Sequence, residues 1–340
     1  MSFKKPPSRI GTMLCAAVAT LATLASPPAA AAPSPAAVSA APAAPRLAEG
    51  QPRVRARAWA ALDENGVLVG GREVDTPMPI ASITKLMMGM AYLDAKPDLS
   101  VVETIEAFDV DTLKKSGSRL KVGSRMPRSD LLRLALASSE NRAASALARS
   151  YPGGAEALVA AMNAKARALG LSSARFVEPT GLSPLNVASA RDVAALAMAA
   201  RRYPEAVEAA RMASYRQEFV GPDGEAEALG YKNTNKALRE GRMEAVVSKT
   251  GYINEAGKCL AWALAGAKRA AGLAMLGAPS FVTRDADGLR LSAWAQGKPP
   301  PEIVDEPAAR SKGKAKARGR AWASNAQAKA KPTRRAARAV

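Results

Sequence analysis

The hydrophobic positions of the central part of the chain follow two different periods. Apolar runs at residues 57–62 and 67–69 flank Asn65 and Gly66, and an Asn-Gly pair between strand-like runs predicts a β-hairpin. Strand-like runs return late in the chain, with short glycine-containing turns between them. They lie at residues 245–250, 259–265 and 273–276. Between the early and late strands, leucine and methionine recur at helical spacing.

This helical spacing predicts helices with recognisable boundaries. They run from near Ser82 to just before Pro97, from Ser129 to Ala137, from Gly154 to Leu169, and from Ala190 to Tyr203. Ser129 and Asp130 are placed to cap the second helix, and Pro204 follows the last one. Strands at both ends of a helical region predict a mixed α/β fold of the α+β type. We expect one antiparallel sheet flanked by helices, with its first and last strands adjacent, together with a helical subdomain.

The beginning of the chain has the composition of a secretory signal peptide. Three basic residues precede an apolar run at 10–24 and a small-residue stretch that ends at Ala32. The apolar run is shorter than the roughly 20 residues that cross a bilayer, which disfavours a membrane anchor. We therefore expect export to the periplasm or cell envelope, with residues 1–32 as the signal, 33–51 as an Ala/Pro-rich spacer and 52–297 as the folded domain.

Most of the positive charge lies outside that domain. The chain has 49 Lys and Arg against 30 Asp and Glu, a net charge of +19, and residues 309–340 carry eleven basic residues and no acidic one. When these eleven charges and the three of the predicted signal peptide are subtracted, the rest of the chain has a net charge of only +5. We expect residues 298–340 to form a disordered basic tail.

This tail allows a second interpretation, in which the protein is a secreted binder of polyanions. Export favours anionic envelope polymers or lipid head groups, which would give the protein a peripheral association with the membrane or wall. Trp322 is the one aromatic residue of the tail, so it offers little stacking for nucleic acid, and we do not expect a nucleic-acid partner. The tail is equally consistent with a tolerated extension that has no partner.

The chain contains no histidine, which excludes several kinds of active site. A Ser-His-Asp triad, a Cys-His dyad and a histidine-ligated zinc site each require an imidazole. Cys15 lies in the leader, so Cys259 is left without an internal disulfide partner. We expect no metal and no cofactor. A hydrolase built from this chain needs a lysine, a carboxylate or a phenol as its base.

A Ser-x-x-Lys pattern places a hydroxyl and an amine one helical turn apart, so that the amine can take the hydroxyl proton. The pattern starts at Ser2, Ser82, Ser118 and Ser311. Only Ser82, with Lys85, opens a predicted helix with an apolar body. The helix amino terminus would stabilise an oxyanion and favour a neutral lysine. A helix cap followed by a solvated lysine fits this pattern equally well.

Ser139-Glu140-Asn141 follows the second predicted helix. Its hydroxyl and amide could relay a proton and hold a peptide group, although local turn bonding would use the same residues. Tyr-x-Asn sequences starting at Tyr231 and Tyr252 offer alternatives for the same role.

Lys249-Thr250-Gly251 ends a β-branched run. A lysine and a hydroxyl there can hold a carboxylate, and the glycine allows close approach of a substrate backbone. The alternative is an exposed lysine that closes a hairpin. A similar Lys-Ser-Gly at residues 115–117 lies in a predicted loop, and we discount it.

Ser-x-x-Lys, Ser-x-Asn and Lys-Thr-Gly, in this order on helix, loop and strand, resemble the three elements of the penicillin-recognising serine enzymes. The surrounding residues are similar to the low-molecular-mass penicillin-binding proteins, and most similar to the D-alanyl-D-alanine endopeptidase branch of that serine carboxypeptidase family. These segments are residues 79–87, 138–144, 151–154, 178–183 and 249–257. The resemblance covers about residues 55–291 and implies a β-lactamase/transpeptidase-like fold.

The resemblance also implies a role for each motif residue. Ser82 would be the acylated nucleophile, Lys85 its base, and Ser139 the group that passes a proton to the departing amine. Asn141 would hold the peptide, Lys249 and Thr250 would fix the terminal carboxylate beside Gly251, and the backbone amides of Ser82 and Tyr252 would form the oxyanion hole. The implied substrates are peptidoglycan stem peptides and cross-links, with β-lactams as covalent inhibitors.

A serine β-lactamase of the same fold is the main alternative within this resemblance. In one large class of those enzymes, a loop glutamate and an asparagine four residues later hold the deacylating water. Here Glu178 is followed by Leu182 at that spacing, which favours a slowly deacylating peptidase. The sequence does not separate cleavage of cross-links from trimming of a terminal D-alanine.

Overall fold

The computed structural model describes residues 50–299 and 301. The expected signal peptide, nearly all of the spacer and the basic segment 309–340 lie outside these residues. Within the described part of the chain, no helix is long and apolar enough to cross a membrane.

The described chain alternates between strands and helices. The strands are β1 Ala58–Leu62, β2 Leu68–Arg72, β3 Met78–Pro79, β4 Val102–Thr104, β5 Arg125–Pro127, β6 Val187–Ala188, β7 Ser214–Val220, β8 Ala226–Lys232, β9 Val247–Ile253, β10 Gly257–Ala263 and β11 Gly272–Ala278. The helices are α1 Thr84–Asp94, α2 Arg128–Ala137, α3 Asn141–Arg149, α4 Gly154–Ala168, α5 Ala190–Ala200, α6 Pro204–Arg211, α7 Lys236–Arg239 and α8 Phe281–Ala295. Short 3-10 turns cover Ala81–Ile83 and Ala107–Asp109.

Five strands form the main antiparallel sheet, in the order β2-β1-β11-β10-β9. The predicted hairpin and the three late strands therefore lie in one sheet, and the first and last strands pair, as expected. Every residue of β1 is buried because helices cover both faces of the sheet. Ala58 and Ala60 belong to the core under α1 and α5, whereas Trp59 and Ala61 belong to the core under α8.

A second region contains the smaller sheet β4-β5-β7-β8 and a cluster of helices formed by α1 to α4 and α6. The helices of this cluster bury leucine, methionine and alanine side chains, which match the helical spacing in the sequence. This arrangement confirms the expected α+β fold with a helical part beside the main sheet.

Several predicted boundaries were wrong. Ser129 and Asp130 do not cap α2: the helix begins at Arg128, and the N–H groups of Arg128 and Ser129 donate to the carbonyls of Val101 and Leu99 instead. The helix predicted to begin near Ser82 is present: Ser82 lies in a 3-10 turn that leads directly into α1 at Thr84. The helix predicted to reach Tyr203 ends at Ala200.

Candidate active site

Ser82 lies in the 3-10 turn that leads into α1, and this turn has little freedom to move. Ala81 has a positive φ of 50°, which is uncommon for a residue with a Cβ. Gly181 packs directly on the Ala81 backbone, where a Cβ would collide with the Ala81 carbonyl. On the other side, a Cβ on Gly251 would come within 2.6 Å of the Ile80 oxygen. Two glycines therefore allow neighbouring backbone to clamp the serine turn.

Lys85 is completely buried one turn after Ser82. Its Nζ lies 2.7 Å from Asn141 Oδ1, 2.6 Å from the Thr180 carbonyl oxygen and 3.2 Å from Ser82 Oγ. Burial lowers the pKa of Lys85 from 10.5 to about 8, against the opposing effect of nearby carboxylates. A neutral amine has two hydrogens for the two carbonyl-type oxygens and one lone pair for the serine proton. The site can therefore hold Lys85 as a base aimed at Ser82.

Ser139 and Asn141 lie at the junction of α2 and α3. Ser139 has a positive φ of 60°, and Asn141 is the first residue of α3, which Glu140 caps by accepting the Arg142 N–H. Asn141 accepts from Lys85 through Oδ1 and donates through Nδ2 to Ser116 Oγ, 2.8 Å away. Both ends of its amide are thus fixed beside the lysine.

The Tyr-x-Asn alternatives do not reach Lys85. Asn233 donates to the Ala209 carbonyl, and the Tyr252 hydroxyl donates to Asn254 Oδ1 at an exposed position. The discounted Lys-Ser-Gly at 115–117 does contribute a side chain, because Ser116 accepts the Asn141 hydrogen bond. A loop serine has no sequence signal that separates this role from an ordinary turn.

Lys249 is buried on β9 and lies inside the strand rather than at its end. The alternative prediction, an exposed lysine that closes a hairpin, was therefore wrong. Its Nζ donates to Ser139 Oγ at 2.8 Å and to the Thr250 carbonyl at 3.1 Å. Burial, followed by the positive charges of Lys85 and Arg284, holds the pKa of Lys249 well below its usual range. An anion bound nearby would offset those charges and favour the protonated amine.

A pocket of about 320 Å³ opens beside the serine. It is lined by Ser82, Ser139, Thr234, Thr250, Gly251, Tyr252, Phe281 and Arg284. Five of these residues were predicted, whereas Thr234, Phe281 and Arg284 were not. Lys249 is buried and does not line the pocket; besides Ser82, the lining residues with a hydroxyl or guanidinium group are Ser139, Thr234, Thr250, Tyr252 and Arg284. Thr250 also donates to Thr234 Oγ1 at 2.6 Å.

Glu178 organises the loop that holds Lys85 from the far side. Its carboxylate accepts the N–H groups of Thr180, Gly181 and Ser183, the Thr180 hydroxyl, and Asn186 Nδ2. These bonds fix the Thr180 carbonyl that accepts from Lys85. The carboxylate is thus fully engaged within its own loop.

Comparison with known proteins agrees with this geometry. The family model for D-alanyl-D-alanine carboxypeptidases, peptidase family S11, matches residues 46–279. A D-alanyl-D-alanine endopeptidase of Pseudomonas aeruginosa is 42% identical over 235 residues, which cover 69% of this chain and 75% of that protein. One of Escherichia coli is 38% identical over 222 residues, which cover 65% of this chain and 71% of that protein.

A solved structure of a variant of the Streptomyces K15 DD-transpeptidase superposes with a TM-score of 0.67 at 25% identity. The superposition covers 73% of this chain and all of that chain. The fold and the family expected from the three motifs are therefore confirmed. This chain belongs to the D-alanyl-D-alanine carboxypeptidase family of serine peptidases, the low-molecular-mass penicillin-binding proteins.

Proposed function

We propose that this protein hydrolyses D-alanyl peptide bonds of peptidoglycan through an acyl-enzyme on Ser82, and that it prefers the cross-link between two stem peptides. The observation that carries the proposal is the buried Lys85 amine, with a pKa of about 8 and 3.2 Å from Ser82 Oγ. The names of the two relatives above, both D-alanyl-D-alanine endopeptidases, support the preference for cross-links.

In the first step Ser82 Oγ attacks the D-alanyl carbonyl carbon while its proton moves to Lys85. The backbone amides of Ser82 and Tyr252 receive the negative charge that develops on the carbonyl oxygen. Ser139, which accepts a hydrogen bond from Lys249, passes a proton to the leaving nitrogen as the C–N bond breaks and takes back the proton that Lys85 received from Ser82, so that both groups are restored. Water then hydrolyses the ester on Ser82, which regenerates the hydroxyl and releases the second product.

Substrate orientation follows from the polar groups around the pocket. The carboxylate next to the leaving nitrogen meets Arg284 and the paired hydroxyls of Thr250 and Thr234, of which one hydrogen is left to donate to it, with the Lys249 amine behind them. Asn141 Nδ2 keeps one hydrogen on Ser116 and has a second one for a carbonyl of the stem peptide. The role expected for Gly251 was wrong: a Cβ there would meet the Ile80 oxygen at 2.6 Å, so the glycine makes room for the serine turn rather than for the substrate backbone.

The engagement of Glu178 favours a peptidase over a β-lactamase. A carboxylate that activates the deacylating water needs a free oxygen lone pair directed at that water, and Glu178 directs its oxygens to donors of its own loop. We therefore expect a penicillin acyl-enzyme that forms readily and hydrolyses slowly.

Labelling with a fluorescent penicillin tests the nucleophile. The wild type becomes covalently labelled, whereas Ser82→Ala stays folded and unlabelled. Labelling of Ser82→Ala would show that another residue is acylated, and rapid release of the label from the wild type would indicate a β-lactamase.

Incubation with purified cross-linked muropeptide dimers tests the substrate. We expect the wild type to release monomers and Ser82→Ala to release none. Release of terminal D-alanine from pentapeptides, without any cleavage of dimers, would contradict the preference for cross-links.

We also propose an organisation for the whole chain. Residues 1–32 direct export and are removed, 33–51 form a spacer, 52–297 form the peptidase in the periplasm, and 298–340 form a basic tail that binds anionic polymers or lipid of the envelope. The eleven basic residues between 309 and 340, with no acidic residue among them, support the last assignment. In this organisation, polyanion binding by the tail retains the enzyme in the envelope and takes no part in the reaction at Ser82.

A further inference from the structure

Two aromatic rings stand half-exposed at the mouth of the catalytic pocket. Tyr252 is 46% exposed and Phe281 is 50% exposed, and both line the pocket that contains Ser82. Their ring centroids are 5.5 Å apart at an interplanar angle of 62°, an edge-to-face contact. Large apolar groups that remain in water beside a reactive group are typical of a ligand-contact surface.

A lysine amine lies over both rings. Lys258 Nζ lies 4.8 Å from the centroid of Tyr252 and 5.5 Å from that of Phe281, and it donates to the Pro279 carbonyl at 3.2 Å. Among the described residues Lys258 takes part in no ion pair, so its positive charge is available to an anion. We call Tyr252, Phe281 and Lys258 the aromatic rim.

On both elements that carry the rings, β9 and α8, the ring residue is a neighbour of a polar pocket residue and is more exposed to solvent than that residue. Thr250 and Tyr252 are two residues apart on β9, so their side chains share a face of the strand at a spacing of about 7 Å. Phe281 and Arg284 are three residues apart on α8 and share a face of the helix. A ligand whose carboxylate meets Thr250 and Arg284 therefore meets the rim when it extends further out.

The two candidate substrates differ in whether they extend that far. When a terminal D-alanine is released, the leaving group carries a methyl side chain and ends near Thr250 and Arg284. When a cross-link is cleaved, the leaving nitrogen belongs to an amino acid whose longer aliphatic side chain leads to a second peptide. That chain must leave the pocket past its mouth.

We propose that the aromatic rim binds the leaving strand of a cross-linked substrate and so determines the preference of this enzyme for cross-links. The aliphatic part of the leaving residue packs on the Tyr252 and Phe281 rings, and a carboxylate of the second peptide pairs with Lys258. This assignment rests on the proposed function and names the part of the substrate that the rim recognises.

Phe281→Ala and Lys258→Gln test the rim. Because the Arg284 guanidinium lies 5.4 Å from the Phe281 ring centroid, the linear pentapeptide, whose carboxylate also meets Arg284, reports any indirect effect of Phe281→Ala on that group. The measurement is kcat/KM for a cross-linked dimer and for a linear pentapeptide ending in D-Ala-D-Ala, together with the rate of Ser82 labelling by penicillin. We expect the ratio of dimer to pentapeptide kcat/KM to fall about tenfold in Phe281→Ala, since a buried ring contact is lost only with the dimer. Lys258→Gln lowers the same ratio less, and adding salt to the wild type reproduces its effect.

Phe108→Ala is the matched control, because Phe108 is 85% exposed and lines a different pocket from the one that contains Ser82. This variant leaves the ratio unchanged. An unchanged ratio in Phe281→Ala, with Ser82 still labelled and dimers still cleaved, would disprove the rim and leave the proposed function intact. A wild type that neither takes the label nor cleaves dimers would instead remove the proposed function. Dimers with and without their sugars complete the test, since an effect confined to sugar-bearing dimers would assign the rim to glycan.

Discussion

Lys85 is completely buried, and its amine donates to Asn141 Oδ1 and to the Thr180 carbonyl oxygen, as a buried polar group requires. Burial alone would lower its pKa further, and the carboxylates of Glu178, Glu140 and Asp111 limit the shift. The result is an amine whose pKa, about 8, is close to neutral pH, and a general base is most effective when its pKa is near the working pH.

Acylation of Ser82 should therefore depend on pH through Lys85. The protonated amine cannot accept the serine proton, so below a pKa of about 8 the acylation rate rises about tenfold per pH unit, and it levels off above that value. The measurement is the rate of fluorescent penicillin labelling between pH 6 and 10. Lys85→Arg, which remains protonated throughout, should stay unlabelled over this range. A flat wild-type profile would contradict the assignment of Lys85 as the base.

Gly181 gives a second prediction at a single position. Gly181→Ala should reduce acylation at least tenfold, because its Cβ would displace the Ala81 carbonyl and with it the serine turn. Gly241→Ala is a suitable control, since Gly241 also has a positive φ, of 67°, but has open space around it. Both variants lose about 1 kcal/mol of stability from the backbone conformation. Equal acylation rates in the two variants would show that the contact does not position Ser82.

The loop from Glu178 to Asn186 works as a unit. Asn186 is buried, accepts the Val177 N–H and donates to Thr84 Oγ1, so it joins this loop to the start of α1. Glu178 and Asn186 together determine where the Thr180 carbonyl lies, and that carbonyl sets the position of the Lys85 amine.

Glu178→Gln should damage acylation more than deacylation. Both carboxylate oxygens of Glu178 accept backbone N–H groups. In either orientation of a glutamine side chain, its NH2 group would therefore face an N–H donor in place of one oxygen. We expect a loss of about 2 kcal/mol in the free energy of unfolding and slower penicillin labelling, measured by denaturation and by stopped-flow. Glu64→Gln, on the surface and paired with Arg201, serves as the control. Normal labelling with blocked release of the label would instead assign Glu178 to the deacylating water.

The elements that the sequence predicted well are those whose buried positions are apolar. The hairpin β7–β8 was missed because Gln217 occupies a buried position on β7, which breaks the alternation. Helix α8 was missed because its buried face includes Arg284, Asp285 and Asp287. These charges are compensated by partners, such as the pair of Arg284 with Asp285 at 2.7 Å, that a sequence pattern does not reveal.

The same distinction separates the predicted from the missed parts of the site. Ser82 with Lys85, and Ser139 with Asn141, are local pairs whose spacing is visible in the sequence. Arg284, Phe281 and Thr234 reach the pocket only because α8 packs beside β10 and β11 and because Thr234 contacts Thr250. Such contacts depend on tertiary structure and have no local pattern.

At the scale of the whole molecule, the uneven distribution of charge predicts where the enzyme is retained. Deletion of residues 309–340 should lower the fraction of protein bound to isolated sacculi or to anionic vesicles, and the lost binding should be the salt-sensitive part. A variant that keeps the eleven basic residues in shuffled order should bind as the wild type does. Retention that does not change on deletion would rule out an electrostatic tether. Testing sacculi and vesicles separately shows whether the tail binds wall polymer or lipid.

The closed hydrogen-bond network of Glu178 also constrains how a protein of this kind could evolve resistance to penicillin. To destroy the drug rather than be trapped by it, the enzyme would need a carboxylate free to activate water beside the ester. Freeing Glu178 would release the Thr180 carbonyl and with it the Lys85 amine, the proposed base. A path to a β-lactamase that recruits Glu178 therefore requires a new support for Lys85.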